Sequence, residues 1–86
     1  MMDREPLVSV VIPNYNYGRY LGEAIESVLG QSYRPVEVLV GDDGSRDESE
    51  AVLQRYDGRV RRLRQPHRGV AAARNLGVRE SRGRLL

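Results

Sequence analysis

The sequence predicts an α/β fold, a parallel sheet with flanking helices, and three observations carry that prediction. Leu7-Val8-Ser9-Val10-Val11-Ile12 and Val36-Glu37-Val38-Leu39-Val40 are short, β-branched apolar runs, the mark of parallel strands buried on both faces. Between them, Leu21, Ala24, Ile25, Val28 and Leu29 recur at helical spacing, giving a helix from about Tyr20 to Gln31 with one core-facing stripe. A connection of this length carrying a helix implies a parallel strand pair and a right-handed crossover.

The elements then follow in order. Pro13 closes the first strand, Asn14-Tyr15-Asn16-Tyr17-Gly18 is a polar, aromatic loop, and Arg34-Pro35 leads into the second strand. Ser45-x-x-Glu48 reads as a capping box that starts a second helix, covering about Asp47–Tyr56, because serine at such a position satisfies free N–H groups of the first turn. Ser49, Val52, Leu53 and Tyr56 share one face of it, and Asp57-Gly58 stops it. Val60–Arg64 is a weak third strand, apolar at only two positions, which suits a sheet edge. Val70–Ser81 is a third helix with Ala72, Ala73, Leu76 and Glu80 along one side. Gly77 inside it costs about 1 kcal/mol relative to alanine, so a close helix–sheet approach is expected there. Arg84-Leu85-Leu86 opens a fourth strand.

Length and composition bound the function. Eighty-six residues make one small domain of marginal stability. Without cysteine there is neither a disulfide framework nor a Cys-based metal site. No apolar run reaches the roughly 20 residues of a membrane span and no secretory leader pattern opens the chain, so the cytoplasm is the default location. All 14 basic residues are arginine, and they are unevenly spread. Residues 1–58 hold five against eleven acids, a net of −6; residues 59–86 hold nine against Glu80 alone, a net of +8. Such a split marks an anion-binding half, a nucleic-acid patch, or two faces that neutralise each other in the fold.

The chemistry-bearing stretch is Leu39-Val40-Gly41-Asp42-Asp43-Gly44-Ser45, an apolar run that breaks into two carboxylates, a glycine and a hydroxyl. Ligands of open α/β sheets bind outside the carboxyl ends of the strands, where this stretch falls. An ionised carboxylate is purely an acceptor, with charge-assisted hydrogen bonds, and suits a base N–H, a ribose hydroxyl or the surroundings of a metal. The bland reading of the pair is an Asx-turn into the next helix, which fits Asp42 better than Asp43. Tyr15, at the end of the first strand, offers an aromatic face for a base or packs on its own helix. Arg68, Gly69 and Arg74 surround the start of the third helix, where arginines and free N–H groups favour an anion; packing is the alternative use of Asn75 and Gly77. Arg79 and Arg82 read as solvated surface and His67 as a lone loop histidine. No Gly-x-Gly-x-x-Gly follows the first strand, which argues against a dinucleotide-binding domain.

Four segments in register carry a resemblance. Val8-Ser9-Val10-Val11-Ile12-Pro13-Asn14-Tyr15-Asn16, the helix Tyr20–Tyr33, Val38-Leu39-Val40-Gly41-Asp42-Asp43-Gly44-Ser45-Arg46-Asp47 and Gly69-Val70-Ala71-Ala72-Ala73-Arg74-Asn75-Leu76-Gly77 resemble the family 2 glycosyltransferases, and the similarity runs from about Leu7 to Leu86. The resemblance implies a Rossmann-like GT-A fold over residues 7–86, after a tail of residues 1–6. It implies a nucleotide-diphospho-sugar donor, of the UDP type, held by Pro13, Tyr15, Asn16, Asp42, Asp43, Arg68, Gly69 and Arg74. Tyr15 would stack on the base, Asp43 would accept its N–H, and the diphosphate would lie near Arg68, Gly69 and Arg74.

In that family the fourth strand continues into an Asp-x-Asp-type motif for a divalent metal, manganese or magnesium, followed by the catalytic base and the acceptor half. The metal neutralises the leaving diphosphate and the base activates the acceptor hydroxyl. This sequence contains neither. The expectation is therefore the donor-binding part of an inverting glycosyltransferase of cell-wall or polysaccharide synthesis, inactive by itself and cut before its metal ligands. Self-association through the exposed edge is expected, with any membrane association left to the remainder. Two competing readings stand beside it. An arginine-rich nucleic-acid module would use residues 59–86, although no aromatic follows Tyr56 to stack on bases. A phospho-acceptor receiver would place its aspartate pair after the first strand, not the second.

Overall fold

The computed structural model describes residues 6–31 and 35–85. Within them strands and helices alternate: β1 (Val8–Asn14), α1 (Gly18–Leu29), β2 (Val36–Asp42), α2 (Ser49–Gln54), β3 (Arg61–Arg64), α3 (Val70–Glu80) and β4 (Arg84–Leu85). All four strands run parallel in the order β3-β2-β1-β4. The chain steps from β1 to β2 to β3 in one direction, then returns across the sheet to β4. Crossovers of one hand therefore put α1 and α2 on one face and α3 on the other.

The pleat of β2 sorts its side chains between those faces. Val38 and Val40 join Leu21 and Ile25 of α1 and Val52 and Leu53 of α2, with Tyr56 and Val60, in one buried core. Leu39 and Gly41 turn the other way, toward α3. That second interface is close because it is built from small residues. A Cβ on Gly41 would stand 2.5 Å from the Ala73 carbonyl oxygen, and one on Gly77 would collide with the Val11 side chain. The close approach expected at Gly77 is present.

Element ends depart from the sequence reading in instructive ways. β1 continues through Pro13 to Asn14, and β2 through Gly41 to Asp42. Proline is tolerated because the Asn14 carbonyl faces β2, accepting the Asp43 N–H, so the Pro13 nitrogen faces the opposite side. There β4 pairs only with Val8 and Ser9. β1 is not buried on both faces throughout; Val10 to Pro13 are half-buried. Ala24 of the expected α1 stripe is exposed.

The capping box does not form. The Ser45 hydroxyl is taken by Asp42, and α2 begins only at Ser49. The first N–H of α2, that of Ser49, is served by Asp47 instead, whose Oδ1 accepts it while Oδ2 accepts the Gly18 N–H at the start of α1, both at 2.9 Å. One carboxylate thus ties the starts of α1 and α2 together. Burial raises its pKa, but these hydrogen bonds outweigh that and leave it below the usual value.

At the opposite end of the sheet, buried Ser9 donates to Glu37 at 2.6 Å and accepts the Gly83 N–H at 2.8 Å. Glu37 also accepts the Arg82 N–H at 2.6 Å and lies 3.5 Å from Arg61. This network fixes the entry of β4. Arg61 pairs with Glu37, Arg62 with Glu50 and Arg64 with Asp42, so part of the charge split of the sequence closes within the fold. The expected third strand lies at the sheet edge. Leu86 of the fourth falls outside the described residues, as do residues 1–5 of the N-terminal tail.

Candidate functional site

The carboxyl ends of β1, β2 and β3 converge on one rim, and the pleat gives the two aspartates there opposite fates. Asp42 follows Val40 toward the α1–α2 face. Its Oδ1 accepts from Asn14 Nδ2 at 2.9 Å and the Ser45 hydroxyl at 2.6 Å; its Oδ2 accepts Ser45 N at 3.0 Å, with Arg64 at 3.4 Å. The Ser45 N–H lies three residues on, one beyond the reach of the Asx-turn expected for Asp42, and its bond closes the Asp42–Ser45 loop instead. Buried Asn14 also reaches Ser49 at 2.9 Å and Ser45 at 3.2 Å. Asn16, in the left-handed region at φ 54°, donates its N–H to Ser45 and accepts the Arg46 N–H, each at 2.8 Å. Asn14, Asn16, Asp42 and Ser45 therefore form a polar clamp between the β1–α1 and β2–α2 loops.

Asp43 faces the α3 side and is 1 % exposed. Four donors fill its two oxygens. Oδ1 accepts Gln65 Nε2 and the Arg68 N–H, both at 2.7 Å; Oδ2 accepts His67 Nδ1 at 2.7 Å and the Gly69 N–H at 2.9 Å. Burial opposes its charge, but the hydrogen bonds prevail and hold the pKa at about 2. Since a carboxylate only accepts, His67 Nδ1 must carry the shared proton. Gly69 caps α3 at φ 106° and ψ 159°, a backbone region essentially confined to glycine. That conformation aims its N–H at the carboxylate.

Tyr15 closes the site from β1. Its ring stacks on the His67 imidazole with centroids 4.0 Å apart and planes 18° from parallel. Tyr15 and Asp43 thus border the same small space, and His67 occupies it. Sequence reasoning passed over His67 and Gln65 because their partners lie 24 and 22 positions away; no local pattern signals such a contact. Arg68 and Arg74 are exposed, with Arg68 at the α3 start beside Asp43. Arg74 shares with Pro13 a cleft of about 270 Å³ between α3 and β1, lined also by Val11, Val78 and Leu85. The eight sequence-derived residues therefore fall into three groups: Tyr15, Asp43, Arg68 and Gly69 at the rim; Pro13 and Arg74 in the adjoining cleft; Asp42 and Asn16 in the clamp behind.

The aspartate pair does not fit a divalent cation. The two carboxylates point to opposite faces with their oxygens occupied, and no group of three His, Cys, Asp or Glu among the described residues could hold a metal.

Comparison with known proteins agrees with this architecture. The chain is 42 % identical over 84 residues to the glycosyltransferase GlyG of Streptococcus pneumoniae, covering 93 % of this chain and 28 % of that protein. It is 40 % identical over 85 residues to a chondroitin synthase of Escherichia coli, covering 95 % of this chain and 12 % of the synthase. The chain spans between 12 % and 28 % of the length of the curated relatives compared. Staphylococcus aureus TarS superposes with a TM-score of 0.79 at 26 % identity, over 88 % of this chain and 24 % of that structure. The mannosyltransferase PcManGT of Pyrobaculum calidifontis, solved with GDP-Man and Mn2+, gives 0.77 at 26 % identity, over 93 % and 26 %. The match to the glycosyl transferase family 2 model covers residues 9–86, from the first strand through the aspartate rim and α3 into the fourth strand, and the chain belongs to that family.

Proposed function

We propose that this chain is the nucleotide-sugar-binding part of an inverting glycosyltransferase, and that the base of the donor lies between Tyr15 and Asp43. One observation carries the reading: a planar nitrogen heterocycle is already seated there. The His67 imidazole stacks on Tyr15 at 4.0 Å while placing an N–H on Asp43 at 2.7 Å. A pyrimidine or purine with an N–H on its edge can make the same two contacts. The Asp43 carboxylate favours bases that present an imino N–H, uracil or guanine, over those presenting a ring-nitrogen acceptor at that edge. A UDP-type donor is our choice, and the GDP-Man of PcManGT supports the wider class. The diphosphate would run toward exposed Arg68 and the first turn of α3, where N–H groups and guanidinium favour an anion.

A divalent metal like the Mn2+ of PcManGT would need ligands other than those described. The acceptor hydroxyl likewise needs a base. The 86-residue chain is therefore expected to bind a donor without transferring its sugar, and the chondroitin synthase relative supports a growing polysaccharide as acceptor for the whole enzyme. The test is calorimetric titration of UDP and GDP into the parent, Tyr15→Leu, Asp43→Asn and Asp42→Asn. Loss of the stack should weaken binding by about 1–3 kcal/mol, and Asp43→Asn should weaken it more than Asp42→Asn. Equal effects of the two aspartate changes would overturn the assignment of Asp43.

A further inference from the structure

We propose that His67 is a built-in gate of this site: its imidazole makes the two contacts a base would make and must swing out before a nucleotide can bind. The proposal rests on the donor reading above and adds a competition to it. Three observations lead there. First, Asp43 is saturated. Its two oxygens offer about four acceptor positions, and Gln65, His67, Arg68 and Gly69 fill them. A base N–H can reach the carboxylate only when one of these donors leaves.

Second, the four donors are not equally free to leave. Those of Arg68 and Gly69 are backbone groups at the start of α3, and moving them means moving the helix. The His67 side chain is 58 % exposed. Its backbone is held in place: its nitrogen packs against Gly44, where an added Cβ would lie 2.9 Å away, and the next two N–H groups are pinned to Asp43. Rotation about the side-chain torsions alone moves the ring into solvent.

Third, leaving Asp43 also clears Tyr15. The same ring covers the tyrosine face, so one rotamer change frees both contacts that a base needs. Gln65 also touches Asp43 but has no ring to stack on Tyr15, so it stands in for neither face of a base.

The consequence is quantitative. When the competent state is only partly populated, apparent affinity falls by that fraction. If the ring is out in about one molecule in ten, removing it tightens binding about tenfold. Inorganic pyrophosphate has no base and should be indifferent to the change.

The experiment titrates UDP and pyrophosphate into the parent, His67→Ala and His67→Gln, with folding checked by urea midpoint. His67 is the single histidine of the chain, so its imidazole proton resonances are followed without ambiguity in the unmodified protein. We expect His67→Ala to bind UDP several-fold to tenfold more tightly with pyrophosphate unchanged. His67→Gln, which keeps an N–H without a ring, should fall between. In the parent, the imidazole protons should carry the upfield shift of a ring stacked on Tyr15, be released by Tyr15→Leu, and be released by UDP.

Unchanged or weaker UDP binding by His67→Ala would overturn the gate and leave the base site standing. So would an imidazole that stays stacked with UDP bound, a reading that needs no variant to fold. UDP bound no better than pyrophosphate by every form would remove the base site and the gate together.

Discussion

Gly41→Ala tests how tightly the sheet and α3 fix the aspartate rim. The Gly41 backbone lies outside the left-handed region, so alanine meets no conformational penalty there. By the unfolded-chain argument alone it should stabilise by about 0.4–1 kcal/mol. Packing opposes this. The new Cβ would lie 2.5 Å from the Ala73 carbonyl oxygen and 3.2 Å from its carbon, and these are backbone atoms that no rotamer change can move. Since real Cβ atoms essentially never come within 3.0 Å of such a neighbour, α3 must retreat by at least about 0.5 Å. A gap of that size forfeits about a quarter or more of the dispersion energy of each contact it opens. Inserted methyl groups in packed cores cost about 1–3 kcal/mol, so packing wins, with a net loss of about 1–2 kcal/mol.

In a domain of this size that lowers Tm by about 4–8 °C per kcal/mol, and the urea midpoint should fall with an unchanged m-value. Gly22→Ala is the matched control. It lies within α1, and its Cβ would meet only Tyr56 and Val52, each at an ordinary 3.7 Å. It should stabilise by about 0.5–1 kcal/mol. A Gly41→Ala protein as stable as its parent, beside a Gly22→Ala that behaves as expected, would refute the close approach of α3 to β2.

Other outcomes follow from the polar network. Asp43, Asp47 and Glu37 all have pKa values below their usual range. At Glu37 burial opposes the charge, while bonds from Ser9 and the Arg82 N–H, with Arg61 alongside, outweigh it. Depressed carboxylates stabilise the fold above their unfolded pKa of about 4 and lose that contribution as pH falls through the folded values. Urea midpoints should hold near neutrality and fall from about pH 4 toward pH 2; Asp43→Asn should flatten the most acidic part of that fall. Gly69→Ala, at φ 106°, should cost about 1–3 kcal/mol, read as a lower urea midpoint. Asn14→Ala strips donors from Asp42, Ser45 and Ser49 and should cost about 1–3 kcal/mol, read as a lower urea midpoint.

The sequence alone determined whatever depends on short-range pattern. Apolar runs of β-branched residues separated by a 3.6-residue period specify parallel strands joined by a helix, and this is why β1, α1 and β2 were legible, as were the edge position of β3 and the reason for Gly77. The sequence also separated the adjacent aspartates, because a turn into the next helix suits Asp42 better than Asp43, while the pleat that sends them to opposite faces belongs to the structure. Element ends were less legible because a side chain can serve one of several partners. Ser45 has the spacing of a cap, yet the buried acceptor of Asp42 takes its hydroxyl first, and Asp47 caps α2 in its place. Only the tertiary structure decided the contents of the site. His67, Gln65, Arg68 and Gly69 meet Asp43 because the return of the chain from β3 into α3 passes over the end of β2, and Tyr15 meets His67 because β1 lies alongside β2. Those encounters are set by strand order and by the close packing of α3 on glycine and alanine, which no local spacing encodes.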